Sequence, residues 1–242
     1  METTGRSARI GHEYAIDLAQ MLRVLFTAGV RMRTWEGRAV PALRGVGLFG
    51  SADFDPGGWK PLSPAYLPFL TADRFDKLWA AKIMIRFTRE QLHAVVESGR
   101  LSDPRATEYL TETLVARQRA TAQHWFARVN PLDRFTLEVA PAGTALCFDD
   151  LALVYRLGAV AGATRYAVTT YDVDARALGT SVVAAAAAGR TCTGALTLAS
   201  PFGGYTMVKI VTERAGTRLE LFVHLARDPM SGAPRVIGIW RS

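Results

Sequence analysis

Apolar side chains recur at three- and four-residue intervals through the first half of this chain and at two-residue intervals through much of the second. From Glu13 to Ala28, Leu18, Met21, Leu22, Leu25 and Phe26 fall on one helical face, and Gly29 is placed to stop the helix. Helical spacing resumes at Thr71 with Phe75, Leu78, Trp79, Ile83 and Ile85. Thr88-Arg-Glu-Gln91 has the order of a capping box, in which hydroxyl and amide side chains satisfy otherwise free backbone groups. The helix it opens carries Leu92, Val95 and Val96 and ends at Gly99. Ser102-Asp-Pro104 opens a longer helix bearing Tyr109, Leu110, Leu114, Trp125 and Phe126, which Asn130-Pro131 closes. Between the first two helical stretches, residues 30–70 hold Pro41, Pro56, Pro61, Pro64 and Pro68 with several glycines, the composition of a long loop. Its aromatics (Trp35, Phe49, Phe54, Trp59, Tyr66, Phe69) are suited to pinning it onto the helices.

After Pro131 the pattern changes. Strands are predicted at Phe135–Val139, Ala145–Leu157, Arg165–Val173, Val182–Ala188, Ala195–Leu198, Tyr205–Glu213, Arg218–Ala226 and Val236–Trp240. The alanine run at 184–188 also fits a helical turn. Arg214-Ala-Gly-Thr217 sits between two alternating stretches and reads as a hairpin turn. The expected fold is α+β: an N-terminal helical lobe over 1–131, with a long Pro/Gly/aromatic-rich loop at 30–70, followed by an antiparallel β-sandwich-like domain over 132–242.

Composition narrows the function classes. The chain of 242 residues is 49% hydrophobic, enough for a sizeable core, and no run of 18 apolar residues predicts a membrane span. The net charge of +7 is dominated by Arg, with lysine only at positions 60, 77, 82 and 209. The excess is dispersed, with 18 basic and 13 acidic residues before Pro131 and 11 and 9 after it. A nucleic-acid partner calls for a basic stripe with stacking aromatics, so none is expected. Arg31, Arg33, Trp35, Arg38 and Arg44 form the candidate interaction surface. The start of the chain has no apolar leader, which points to the cytoplasm if the chain is complete.

Candidate chemistry is sparse. Gly45-Val-Gly-Leu-Phe-Gly50 has the letters of a dinucleotide fingerprint, but Pro41 precedes it and Pro56 follows. It therefore lacks the strand and helix that the motif needs. His12, His93, His124 and His224 are scattered; His93 and Glu97 share a helix face without a second His at metal-ligand spacing. Cys147 and Cys192 read as small buried residues, and the sequence leaves their pairing open. Of the carboxylate pairs, Asp53/Asp55 suits a turn and Asp73/Asp76 an acidic first helical turn. Asp149/Asp150 and Asp172/Asp174 remain, the latter at a strand end. No catalytic, metal or cofactor-binding residue is assigned, and no cofactor is expected.

Four stretches together carry a resemblance. GHEYAIDL with LRVLFTAGVRMRTWEG, FDPGGWKPLSPAYLPF, FDKLWAAKIMIRFTREQLHAVVESGRLSDPRATEYLTETLVARQ and HWFARVNPLDRF resemble the C-terminal half of a family of uncharacterised bacterial proteins. Members of that family begin with a signal-peptide-like segment and continue into a region resembling atypical kinases, with an H-x-D…N pattern and a later D-F-G. The resemblance covers about residues 11–135 closely and the β region only in its pattern of strands. In phosphoryl transfer such Asp and Asn side chains hold Mg²⁺ while a loop and a Lys hold the phosphates. This chain contains none of those motifs. The resemblance therefore implies a non-catalytic scaffold or interaction region, whose partner is a separate or missing kinase-like N-terminal half. It implies export if a signal-bearing half lies upstream. Two alternatives stand beside it: a stand-alone hydrolase using Asp53, Asp55 and Asp172, and a glycan- or protein-binding module.

Overall fold

The structure, a computed structural model, describes residues 11, 12, 14, 16–28, 30, 41–43, 45–61, 67–199 and 204–242. It is an α+β chain that divides into two compact units at His124/Trp125. The helices are α1 (Leu18–Phe26), α2 (Leu67–Thr71), α3 (Arg74–Met84), α4 (Arg89–Glu97), α5 (Pro104–Phe126) and α6 (Leu151–Val154). The strands are β1 (Leu132–Ala140), β2 (Gly143–Asp150), β3 (Thr164–Tyr171), β4 (Ala177–Ala184), β5 (Arg190–Cys192), β6 (Thr206–Arg214), β7 (Thr217–Arg227) and β8 (Pro234–Arg241).

In the first unit, local capping chemistry sets where helices begin. α1 starts at Leu18 rather than Glu13 because Asp17 caps it, accepting from the Gln20 amide at 3.2 Å. Asp73 and Asp76 form a reciprocal capping box at α3, and Thr88 and Gln91 form the expected one at α4. Asp103 accepts from the Arg105 amide at 2.9 Å, with Pro104 as the first residue of α5. α3 buries Leu78, Ala81 and the following Ile85, whereas Trp79 and Ile83 of the predicted face are exposed. Gln118 of α5 donates to the Met84 and Phe87 carbonyls at 2.5 and 2.9 Å, satisfying the C-terminal end of α3. Part of the predicted loop at 30–70 is pinned as expected. Arg117 of α5 lies 4.1 and 4.8 Å from the ring centroids of Phe49 and Phe54 and donates to the Gly50 carbonyl at 2.8 Å. Trp59 and Phe69 are exposed instead, and α2 occupies the end of that segment.

The second unit is the antiparallel sandwich. One sheet has the order β1-β2-β5 and the other β4-β3-β6-β7-β8. Leu132, Leu146 and Phe148 from the first sheet and Tyr166, Val168, Val208, Ile210, Leu221, Val223 and Leu225 from the second form one buried core. The alternation is strict in β3 and β6, where every second residue is buried. Arg214 pairs with Thr217 across a two-residue turn whose Ala215 and Gly216 have φ of 46° and 79°, the type I′ geometry that matches strand twist.

Three predicted strands are corrected. Ala145–Leu157 breaks at Asp150, which caps α6 by accepting from the Ala152 amide at 3.1 Å. The apolar run Leu151–Val154 is helical, because periodicity cannot separate such a short run from a strand. The strand predicted at Val182–Ala188 lies at Ala177–Ala184, and the alanines after it enter a turn rather than a helix. Ala195–Leu198 supplies only an isolated bridge at Leu196, while β5 lies earlier at Arg190–Cys192.

Candidate functional site

Buried polar chemistry concentrates where β2 gives way to α6. Consecutive strand residues point to opposite faces, so the predicted pair Asp149/Asp150 separates. Asp150 faces inward and is fully buried. Its Oδ1 caps α6, and its Oδ2 accepts from the Tyr166 hydroxyl at 2.8 Å and from the Arg214 guanidinium. Arg214 Nε also donates to Thr164 Oγ1 at 2.9 Å, and that hydroxyl donates to the Val160 carbonyl at 2.9 Å. Desolvation, with the Asp150 charge beside it, raises the Tyr166 pKa far above the usual phenol range. Strands β2, β3 and β6 thus converge on one carboxylate holding three donors. Chemically the cluster is a fastener, since a buried charge persists only when paired and hydrogen-bonded.

Asp149 faces outward between Arg134 and Arg190, at 3.1 and 3.0 Å, and Arg190 also reaches Thr136 Oγ1 at 2.8 Å. On the same face Cys147 and Cys192 form a disulfide. The Thr193 amide donates to the Leu146 carbonyl and the Asp150 amide to the Gly189 carbonyl. Cys147 and Cys192 therefore oppose each other at a non-hydrogen-bonded position, where side chains of adjacent antiparallel strands lie closest. The pairing is between neighbouring strands of one sheet, with Cys147 buried and Cys192 exposed. Glu138 Oε1 lies 3.9 Å from Cys192 Sγ, and the three side chains are close enough to surround a cation. The disulfide removes the thiolates that such a site would use.

The other sequence candidates fall elsewhere. Arg31, Arg33, Trp35, Arg38 and Arg44 lie outside the described residues. Asp55 Oδ1 accepts from the Gly57 amide at 2.9 Å, the expected turn role. Asp172 Oδ1 accepts from the Asp174 and Arg176 amides at 3.0 and 2.8 Å, tying the β3–β4 turn. Asp53 lies in the turn that precedes Asp55. All three carboxylates sit at local turns, and Asp55 Oδ1 shares the space beside Gly57 with the His124 ring. Gly45–Gly50 is irregular, and among the described residues neither 41–43 before it nor 51–59 after it is strand or helix. His93 lies 4.0 Å from Glu97 on the surface of α4, and His224 Nδ1 is 2.6 Å from the Tyr205 hydroxyl. His124 packs so closely on Gly57 that a Cβ there would meet its ring at 2.5 Å.

A different feature marks the first unit. No residue of α1 is buried, and its apolar stripe is open, from 53% exposed at Leu22 to 84% at Phe26. The side of α1 that is half-buried carries Gln20, Val24 and Thr27 with its C-terminal cap. Among the described residues, no helix is long and apolar enough to cross a membrane. No family model matches the chain, and no curated protein and no solved structure matches it.

Proposed function

We propose that this chain is a non-catalytic interaction region, in which the helical unit completes its packing on another polypeptide. The observation that supports this reading is α1. Leu18, Met21, Leu22, Leu25 and Phe26 line one helical face and all are more than half exposed. Burying a large apolar side chain contributes about 1.5–3 kcal/mol, so covering this stripe is worth on the order of 5–10 kcal/mol. That is comparable to the whole stability of a typical domain, and exposed patches of this kind mark interaction sites.

The partner on this reading is the kinase-like half implied by the resemblance of residues 11–135. The disulfide accords with an exported setting, since such bonds persist in oxidising compartments. The two carboxylates of the hydrolase alternative with described hydrogen bonds, Asp55 and Asp172, are engaged by turn amides, which favours the non-catalytic reading.

The test has two arms. Melting of the purified chain is followed with and without ATP and Mg²⁺, and no stabilisation beyond about 1 °C is expected, because a ligand that does not bind the native state shifts nothing. A clear stabilisation that disappears on chelation refutes the reading. In co-expression with a kinase-like half, Leu22→Glu and Phe26→Glu should abolish co-purification while leaving the β-sheet signal intact. Unchanged capture by both variants would equally sink the proposal.

A further inference from the structure

The β6–β7 hairpin end holds an open pocket of about 340 Å³, bordered by Arg165, Arg214 and Arg218 with Glu213 and Gly216. Arg214 reaches it from the inner side of the sheet. Its side chain is 18% exposed and anchored twice, by Nε to Thr164 and by Nη2 to Asp150. A guanidinium carries five N–H donors. The two on Nη1 have no acceptor among the described residues, and such donors in a largely buried group call for one. At the outer side, Arg165 and Arg218 sit directly opposite Glu213 on neighbouring strands. Arg218 lies 3.3 Å from Glu213, whereas Arg165 makes no hydrogen bond or ion pair among the described residues. The Ala215 and Gly216 amides lie in the turn, outside the ladder that Arg214 and Thr217 close. Space above Gly216 is open.

Three arginines thus line one cavity, where Glu213 at the rim pairs with Arg218 and Asp150 behind it pairs with Arg214. The balance is positive. A planar guanidinium fork matches oxyanions. Three forks approaching from different strands ask for at least three acceptor oxygens, more than one carboxylate offers. We propose that this pocket binds the tetrahedral oxyanion of a phosphate or sulfate ester, with Arg214 at its base and Arg165 and Arg218 closing on it. The remaining volume is of the size that accommodates a small organic group. The proposal is independent of what covers α1.

The full-length, disulfide-intact chain is titrated with inorganic phosphate and, separately, with inorganic sulfate, with chloride at equal ionic strength as the control. Amide resonances of Ala215, Gly216 and Thr217 report occupancy. Saturable shifts with a dissociation constant on the order of 1 mM are expected for the bare ions. Arg165→Gln and Arg218→Gln should each weaken binding roughly tenfold, the loss expected for a charge-assisted contact, with the rest of the spectrum unchanged. These two side chains lie at the pocket's outer side, so their variants keep the test clear of any unfolding caused by changing Arg214. Tighter phosphate binding marks a phosphate ester, and tighter sulfate binding a sulfate ester. Shifts that stay linear for both ions, or saturation unaltered in the Arg165→Gln/Arg218→Gln double variant, overturn the proposal.

Discussion

Removing the Cys147–Cys192 bond, by reduction or by the double change to alanine, should lower the stability of the sandwich by several kcal/mol while leaving its fold intact. The bond joins residues 45 apart in sequence and encloses β3 and β4. For a loop of that length, the chain-entropy argument assigns about 4 kcal/mol to the constraint on the denatured ensemble. The native contacts change little, since alanine fills most of the small space that the buried Cys147 occupies. The second unit runs from Trp125 to Ser242. An unfolding entropy of about 2.1 cal/mol/K per residue over that length turns 4 kcal/mol into a fall of roughly 16 °C in its melting temperature. Differential scanning calorimetry of the full chain, with and without a dithiol reductant, measures the shift, and thiol counting in the unreduced, denatured protein checks the starting state. A shift below about 3 °C would refute the reasoning, because the loop would then not be closing a freely disordered segment. Two titratable thiols before reduction would refute it at the first step.

Other expectations follow from the polar fasteners. Asp150→Ala removes the α6 cap, the partner of Tyr166 and the counter-ion of Arg214 at once, and should cost about 3–5 kcal/mol in urea unfolding. Tyr166→Phe leaves the ion pair in place and should cost only about 1–2 kcal/mol, so equal losses in the two variants would contradict this division of roles. At α1, the hydrogen bond and charge of Lys60 hold the Asp17 carboxyl below its usual pKa. Its contribution is present above the unfolded carboxyl pKa of about 3.9 and is lost as pH falls through the depressed native value. Helical circular dichroism should therefore show an acid-induced loss in the native chain that Asp17→Asn removes.

The parts of this fold that were legible in the sequence are those decided by neighbours along the chain. Thr88 and Gln91 satisfy each other within one turn, and Ala215-Gly216 meets the positive φ requirement of its hairpin locally. Asp55 likewise finds the Gly57 amide two residues on. What escaped depends on register between distant strands. The cysteine pairing rests on β5 aligning with β2 across more than forty residues of intervening chain. The Asp150 cluster draws Tyr166 from β3 and Arg214 from β6, so no local motif announces it. A faint signal was present: Thr164 and Tyr166 occupy inward positions of an alternating strand, where a polar atom has to find a partner. The adjacency of Asp149 and Asp150 was misleading for the same geometric reason, since a period of two sends them to opposite faces.

The two units differ in how their apolar residues are used, and that difference carries the functional reading. Within the sandwich, both sheets contribute to one buried core, and at its end Asp150 holds three donors and Asn130 bonds the Leu219 carbonyl at 2.8 Å. In the helical unit, the described core is thin: Val46, Leu78, Ala81, Ile85, Ala106 and Ala122 are its buried apolar residues, and three of those are alanines. Alanine buries little area, so this unit gains much less from burial per residue than the sandwich does. Its largest apolar side chains, including Phe26, Phe69 and Trp79, are among the most exposed. Helices of only nine residues, such as α1 and α4, do not persist in water on propensity alone and depend on packing of their apolar faces. On the proposed reading, α1 gains that packing from a polypeptide whose surface is complementary to Leu18, Met21, Leu22, Leu25 and Phe26.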